Sequence, residues 1–468
     1  MKLTKEIYLT EKLADFVIHS EYKDMPEEAR HKAKQCILDT IGVTLAGSVE
    51  PIHRPVRKYL EEVGGNKQST VIGLGFKTSA PHAAFANGVF GHVLDYDDLT
   101  YLFITHTSVV IVPVVFALGE LLGSTGSDII SAFMVGTEMQ WKLGDAMIAS
   151  GNHYRKGWHS TGTIGTLGAA AAAGKMLGLD SEKMANAIAI AASEAAGVRQ
   201  QKGTMTKSFH AGRAAENGVV AALLAREGFT GAQNALEGEM GFFTLMADEY
   251  DLDKIQNFGQ PWGIVEPTTS RGLVFKLYPC CGSGDGTIDG MFSLIEDHDI
   301  KAEEVESIEC FAHEGKLGNL IYHSPRTALE AKFSLEYWMA ITLVERQAGL
   351  RQFTDEKVQD PKVRDLMARV KVSPDPDNPR FPVRIKVNLK DGRTYTTMYW
   401  PPKASPENPA SDEDLIAKYR DCAEWCGLPK EKTEKSIALI MGLERLKDVS
   451  DLMKLLYRKD GSGKKGSK

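Results

Sequence analysis

Residues 162–174 read GTIGTLGAAAAAG, and this stretch decides what kind of core the chain builds. Glycine and alanine at this density weaken a free helix. What they offer is close backbone approach, so the sequence predicts a central, tightly packed helix. The spacing is G-x-x-G-x-x-G rather than the G-x-G-x-x-G of a dinucleotide loop, no strand precedes it, and no P-loop motif occurs. Helical patterns lie on either side. Pro26 opens one that runs through AKQCILDTIGVTLAG (33–47), with Ile37, Ile41 and Leu45 on one stripe. MANAIAIAASEAAG (184–197) and RAAENGVVAALLAREG (213–228) follow, the second stopping at Gly228. Alternating β-branched runs are scarce before residue 265, so this part reads as nearly all helix.

The pattern then changes. VESIECFA (305–312) alternates with period two, and so does PVRIKVNLKDGRTYTTMYW (382–400), with Asp391-Gly392 as a hairpin turn. Between them, ALEAKFSLEYWMAITLVE (328–345) has helical periodicity. PPKASPENP (401–409) is turn-rich, and Ser411 then caps a last helical segment with Glu413 and Asp414 in its first turn. The expected architecture is mainly α: a large all-helical domain (1–268 with 405–457), an inserted smaller α+β lid domain (269–404), and a disordered tail (458–468).

The composition is that of an ordinary globular protein, 43% hydrophobic and 25% charged. With 55 basic and 62 acidic residues the net charge is -7, which argues against a nucleic-acid partner. The longest apolar run, Val109–Leu122, is too short to span a bilayer and contains Pro113 and Glu120. The N-terminus carries no secretion-signal pattern. Six cysteines without a CxxC pair read as reduced structural thiols of a cytoplasmic protein.

Chemistry concentrates in GHVLDYDDLTYLFITHTS (91–108), where Asp95, Asp97 and Asp98 lie between His92 and His106 inside apolar sequence. Carboxylates there must be solvated, paired or functional. One alternative is a capped, solvated loop; the other is a polar pocket at a helix end, with His106 able to move protons near neutral pH. His92, Asp95, Asp97 and His106 include metal-ligand types, but H-x-x-D-x-D is not a specific metal spacing, and no metal is expected. GWHSTGT (157–163) puts His159 before the Gly/Ala helix, either as a plain loop histidine or at an anion-binding helix start. TMTKSFHAGR (204–213) precedes another helix, with Lys207, His210 and Arg213 three apart. They form either a solvated cationic face or a pocket for a polycarboxylate or phosphate. KLYPCCGSGD (276–285) supplies Lys276 and two cysteines that read as packing residues, and Tyr322 stands in a loop before a helix.

Together, GHVLDYDD with His106, GWHSTGTIGTLGAAAAAGKMLGL, MTKSFHAGRAAENG, KLYPCC and ALEAKFSLEYWMA resemble the MmgE/PrpD family over nearly the whole chain. The family includes 2-methylcitrate dehydratase, cis-aconitate decarboxylase and iminodisuccinate epimerase. The resemblance implies a helical domain with an α+β lid, a homodimer, an active site between the domains, and no required metal or organic cofactor. It carries Asp95, His106, His159, Lys207 and Tyr322 onto the family's catalytic positions. Thr100, or Leu99 beside it, falls near a substrate-binding threonine. Two positions depart: relatives have proline at Thr107, and many have histidine at Asp285.

The expectation is therefore a cofactor-independent lyase acting on a small di- or tricarboxylate by proton transfer next to a carboxylate. His106 is the acid/base and Asp95 its partner. Lys207, His159, His210, Arg213, Thr100 and Lys276 hold the substrate, and Tyr322 protonates a leaving group or binds substrate. Dehydration of the 2-methylcitrate type is the main expectation. Decarboxylation or epimerisation is the alternative within the family, and a non-catalytic carboxylate-binding protein on the same fold is the alternative outside it.

Overall fold

The computed structural model describes residues 8–147, 152–375, 377 and 382–457, with the side chains of Asn152, Ser283 and Asp285 excepted. The expected tail at 458–468 lies outside the described residues. The chain is mainly α with a smaller α+β region. The principal helices are α1 (Leu9–His19), α2 (Glu27–Gly47), α3 (Ala80–Val93), α4 (Ser108–Leu122), α5 (Gly126–Met147), α6 (Ser160–Met176), α7 (Ser181–Glu194) and α8 (Met205–Arg226). After them come α9 (Asp285–His298), α10 (Leu335–Glu345) and α11 (Asp412–Cys426).

The Gly/Ala stretch is α6, and it packs against α4, α5, α7 and α8. Its glycines do what the sequence predicted. A Cβ on Gly168 would lie 2.7 Å from the carbonyl oxygen of Gly136 on α5, and one on Gly136 would lie 2.9 Å from that of Gly168. Side chains there would push the two backbones apart. Pro26 sits one residue earlier than a first-turn proline, as the N-cap of α2. Ile37, Ile41 and Leu45 are fully buried as expected, but from Gln35 onward α2 is buried all round.

One core runs through Leu13–Phe275 and resumes at Ala404–Leu456. A second spans Tyr278–Leu389. The second surrounds a sheet of β3 (Val305–Ala312), β4 (Val370–Pro374), β5 (Val383–Leu389) and β6 (Thr394–Tyr399), in the order β4-β3-β5-β6. β3 is parallel to β4 and antiparallel to β5, and β5 is antiparallel to β6. The β5–β6 hairpin turns at Gly392 (φ 89°), as the Asp-Gly pair predicted. The expected single helix over 328–345 is broken: residues Ala328–Ala331 form one turn, and α10 restarts behind Ser334, whose side chain caps it.

A two-residue antiparallel pair ties the cores together beside the site. β1 (Leu99–Thr100) pairs with β2 (Leu273–Val274), Leu99 opposite Val274 and Thr100 opposite Leu273. This pairing lays the segment carrying Lys276 alongside the segment carrying Asp95. Ser411 caps α11 with a reciprocal bond to Asp414, as its sequence predicted, and α11 packs on α2. None of the helices among the described residues is long and apolar enough to cross a membrane.

Candidate active site

The acidic cluster is buried. α3 ends at Val93, and Asp95, Asp97 and Asp98 are each at most 3% exposed. Asp95 takes a left-handed backbone (φ 51°), a conformation that aspartate tolerates better than most residues. Lys276, also fully buried, donates from Nζ to the Asp95 carbonyl oxygen at 2.7 Å and to its carboxylate. Lys207, in the first turn of α8, places Nζ 2.9 Å from the other carboxylate oxygen. Burial pushes Asp95 up, but Lys207 and Lys276 outweigh it and hold the carboxyl well below its usual range. Burial likewise pulls Lys276 down, and Asp95 and Asp97 more than reverse this, so it stays charged.

His106 approaches the oxygen that Lys276 holds, its Nε2 3.8 Å from Asp95 Oδ1. Its Nδ1 is 3.1 Å from Asp97 Oδ2 without a well-aligned hydrogen bond, and His92 Nδ1 bonds to that same oxygen at 2.9 Å. A carboxylate facing Nδ1 favours the tautomer protonated there, which leaves Nε2 as the free lone pair. Burial lowers the His106 pKa, Lys276 and Lys207 push the same way, and Asp97 only partly offsets them. His106 is therefore neutral at pH 7. His92 is pushed down to about 3, chiefly by burial. His92, Asp97 and His106 present ligand atoms within 4.8 Å of one another and so could share an ion.

The N-terminus of α6 holds this loop in place: Thr161 Oγ1 accepts from the His106 backbone N–H at 3.1 Å. His159, the N-cap of α6, packs 5.7 Å from the His92 ring and touches His210 between their Nδ1 atoms at 3.0 Å. Burial keeps His159 well below its ordinary value and puts His210 at about 4, so both rings are neutral.

A cavity with ≈ 50 Å³ of free space is lined by Asp95, Thr100, His106, His159, Lys207 and Lys202, among others. Both halves of the chain wall it, with Cys281 and Phe333 opposite the helical residues. Lys207 Nζ makes no well-aligned hydrogen bond although it is buried. Such a group can donate to an anion placed before it at little reorganisation cost.

Several expected residues sit elsewhere. Residues 205–213 are inside α8 rather than ahead of it, and Arg213 turns outward to pair with Glu216 at 2.6 Å. His210 backs His159, and Lys276 is fully buried with its ammonium bonded to Asp95, so neither lines the cavity as a substrate-binding residue would. Thr100 lines the cavity, but its hydroxyl donates to the Arg271 carbonyl at 3.0 Å. Tyr322 is one layer back, its hydroxyl donating to the Lys202 carbonyl at 3.2 Å. Thr107 donates to Asp98 Oδ1 at 3.3 Å, a contact that proline could not make. The Asp285 side chain lies outside the described residues.

Other supporting residues gave no signal in the sequence. Lys418 on α11 donates to the carbonyls of Tyr96 (2.7 Å) and Lys276 (2.8 Å) and pairs with buried Asp39 at 2.6 Å. It fixes the backbones that carry Asp95 and Lys276. Only the fold brings residues 39, 96, 276 and 418 together.

The His106 imidazole stands between the carboxylates of Asp95 and Asp97, and the buried ammonium groups of Lys207 and Lys276 both lie on Asp95. The chain matches the MmgE/PrpD N-terminal domain over residues 11–254 and the MmgE/PrpD C-terminal domain over 278–444. It belongs to the MmgE/PrpD family. Among its relatives, the cis-aconitate decarboxylase of Homo sapiens is 31% identical over 471 residues, covering 96% of this chain and 94% of that protein. The cis-aconitate decarboxylase of Mus musculus is 30% identical over 470 residues (96% and 93%), and that of Aspergillus terreus 28% over 462 residues (92% of each).

Proposed function

We propose that the protein is a carboxy-lyase that removes carbon dioxide from an unsaturated tricarboxylate of the cis-aconitate type. The observation that carries this is one cavity lined by Asp95, His106 and Lys207, with His106 and Lys207 both converging on Asp95. Similarity to cis-aconitate decarboxylases along nearly the full length supports it. It replaces 2-methylcitrate-type dehydration as the leading reaction.

Lys207 receives a substrate carboxylate. The bond to one carboxyl carbon breaks, carbon dioxide leaves, and the electron pair spreads onto the neighbouring unsaturated carboxylate. Lys207, which lines the cavity, stabilises that charge where it develops, and Lys276 holds Asp95 beside it. His106 gives its proton to carbon and regains one from water, so a trianion and a proton yield a dianion and carbon dioxide. His106 is neutral in the empty site, but a bound trianion raises its pKa, so the proton is taken up with the substrate. Asp97 orients the ring. His159, held by His210, completes the wall. Tyr322 takes no direct step in this geometry.

Dehydration is the second reading, favoured by the neutral His106, which is ready to act as a base. Incubation with cis-aconitate and with 2-methylcitrate separates the two: the first reading requires release of carbon dioxide, the second loss of water.

The division into a helical domain (1–268 with 405–457) and a lid (269–404) draws support from the two larger apolar cores, although a third, smaller cluster joins Leu350 to Val43 and Cys422. A homodimer is supported by exposed Phe209, Val220 and Leu224 on α8. Six free cysteines fit a reducing, cytoplasmic setting.

A further inference from the structure

Lys202 stands where an outer groove meets the inner cavity. The groove, ≈ 510 Å³, is lined by Arg155, Lys156, Arg199 and Lys202 among others, with no acidic residue in its described lining. The cavity holds Asp95, His106 and Lys207. Among the described residues, Lys202 alone lines both. It is 8% exposed, and its ammonium donates to Asn319 Oδ1, a neutral amide oxygen. No carboxylate lies within ion-pair distance of it among the described residues, unlike Lys276, Lys207 and Lys418. Burial pulls its pKa to about 8, so it is still mostly protonated at neutral pH. A buried cation without a counter-ion is costly, and an arriving anion relieves that cost.

We propose that Lys202 is a substrate-binding residue whose ammonium takes the carboxylate of a tricarboxylic acid that lies furthest from His106. Lys207 holds the end of the molecule that reacts, and Lys202 holds the other end. The basic groove delivers the polyanion to it, since a cleft of one sign concentrates oppositely charged ligands. Lys202 thereby selects three carboxylates over two. This inference rests on the polycarboxylate substrate of the proposed function.

The test is calorimetric binding to the full chain of tricarballylate, a saturated tricarboxylate, and of succinate. Lys202→Met and Lys202→Gln should each weaken tricarballylate by at least about tenfold and change succinate by less than about twofold. Lys202→Arg, which keeps the charge, should stay within about threefold for both. Unchanged tricarballylate affinity in the Met and Gln variants overturns this inference alone. Equal loss of both ligands assigns Lys202 a structural role and also overturns it. Failure of the unmodified protein to bind either acid overturns the substrate class, and this inference with it.

Discussion

His106 Nδ1 lies 3.1 Å from Asp97 Oδ2, and the same oxygen accepts from His92 at 2.9 Å. Asp97 thus orients one imidazole that reaches the cavity and is itself anchored by another that does not. Asp97→Asn should lower kcat by about 10²-fold or more while shifting the melting temperature little, because the amide keeps the shape but not the charge. Asp97 is also the main group raising the His106 pKa against burial. Its loss should therefore move the acid limb of kcat/KM, which reports the free enzyme, to lower pH. An unmoved limb assigns that titration to another group.

Asp98 provides a test by stability alone. Burial, reinforced by Asp39, raises its pKa to about 7. The folded chain then keeps a proton that the unfolded chain loses near the ordinary value of about 3.9. The folded state binds more protons between these values, so this group's contribution to stability falls as pH rises. Asp98→Asn removes that dependence. Relative to the unmodified protein, the variant should gain on the order of 4 kcal/mol between pH 4 and pH 8, read from urea midpoints. A difference constant with pH would contradict the burial argument.

Lys418 should matter for both stability and activity. Lys418→Met strands the buried carboxylate of Asp39 and should cost about 3–5 kcal/mol of unfolding free energy. Adding Asp39→Asn should recover part of the stability. It should not recover kcat, because the Tyr96 and Lys276 carbonyls still lack their donor. Full recovery of kcat in the double variant would show that Lys418 does not position Asp95 and Lys276.

The contact between α5 and α6 leaves no room for a methyl group on Gly168. Gly168→Ala should destabilise by about 1–3 kcal/mol in denaturant titrations, even though alanine is the better helix former. A stabilised variant would mean that the two backbones do not need this approach.

Local patterns disclosed much of this architecture. The Gly/Ala run marked the central helix, the Asp391-Gly392 pair marked the hairpin, and Ser411 marked α11, because each depends on neighbours a few residues away. The acidic run beside His106 was visible as charge in apolar sequence. Other features depend on distance in the fold. Spacing placed Lys207, His210 and Arg213 on one face, yet α8 turns the first two inward and Arg213 toward Glu216. Lys202, Lys418 and Asp39 carry no periodic or motif signal, since their partners are brought to them by packing of distant segments.

In the proposed decarboxylation His106 moves a proton while Lys207 holds the substrate. The most direct measurement follows cis-aconitate by NMR and carbon dioxide release, with the unmodified protein and with His106→Gln. The expected result is one carbon dioxide and one unsaturated dicarboxylate per turnover, and a loss of at least about 10²-fold in the variant. No release of carbon dioxide by the unmodified protein, or a loss below about threefold in the variant, would contradict it.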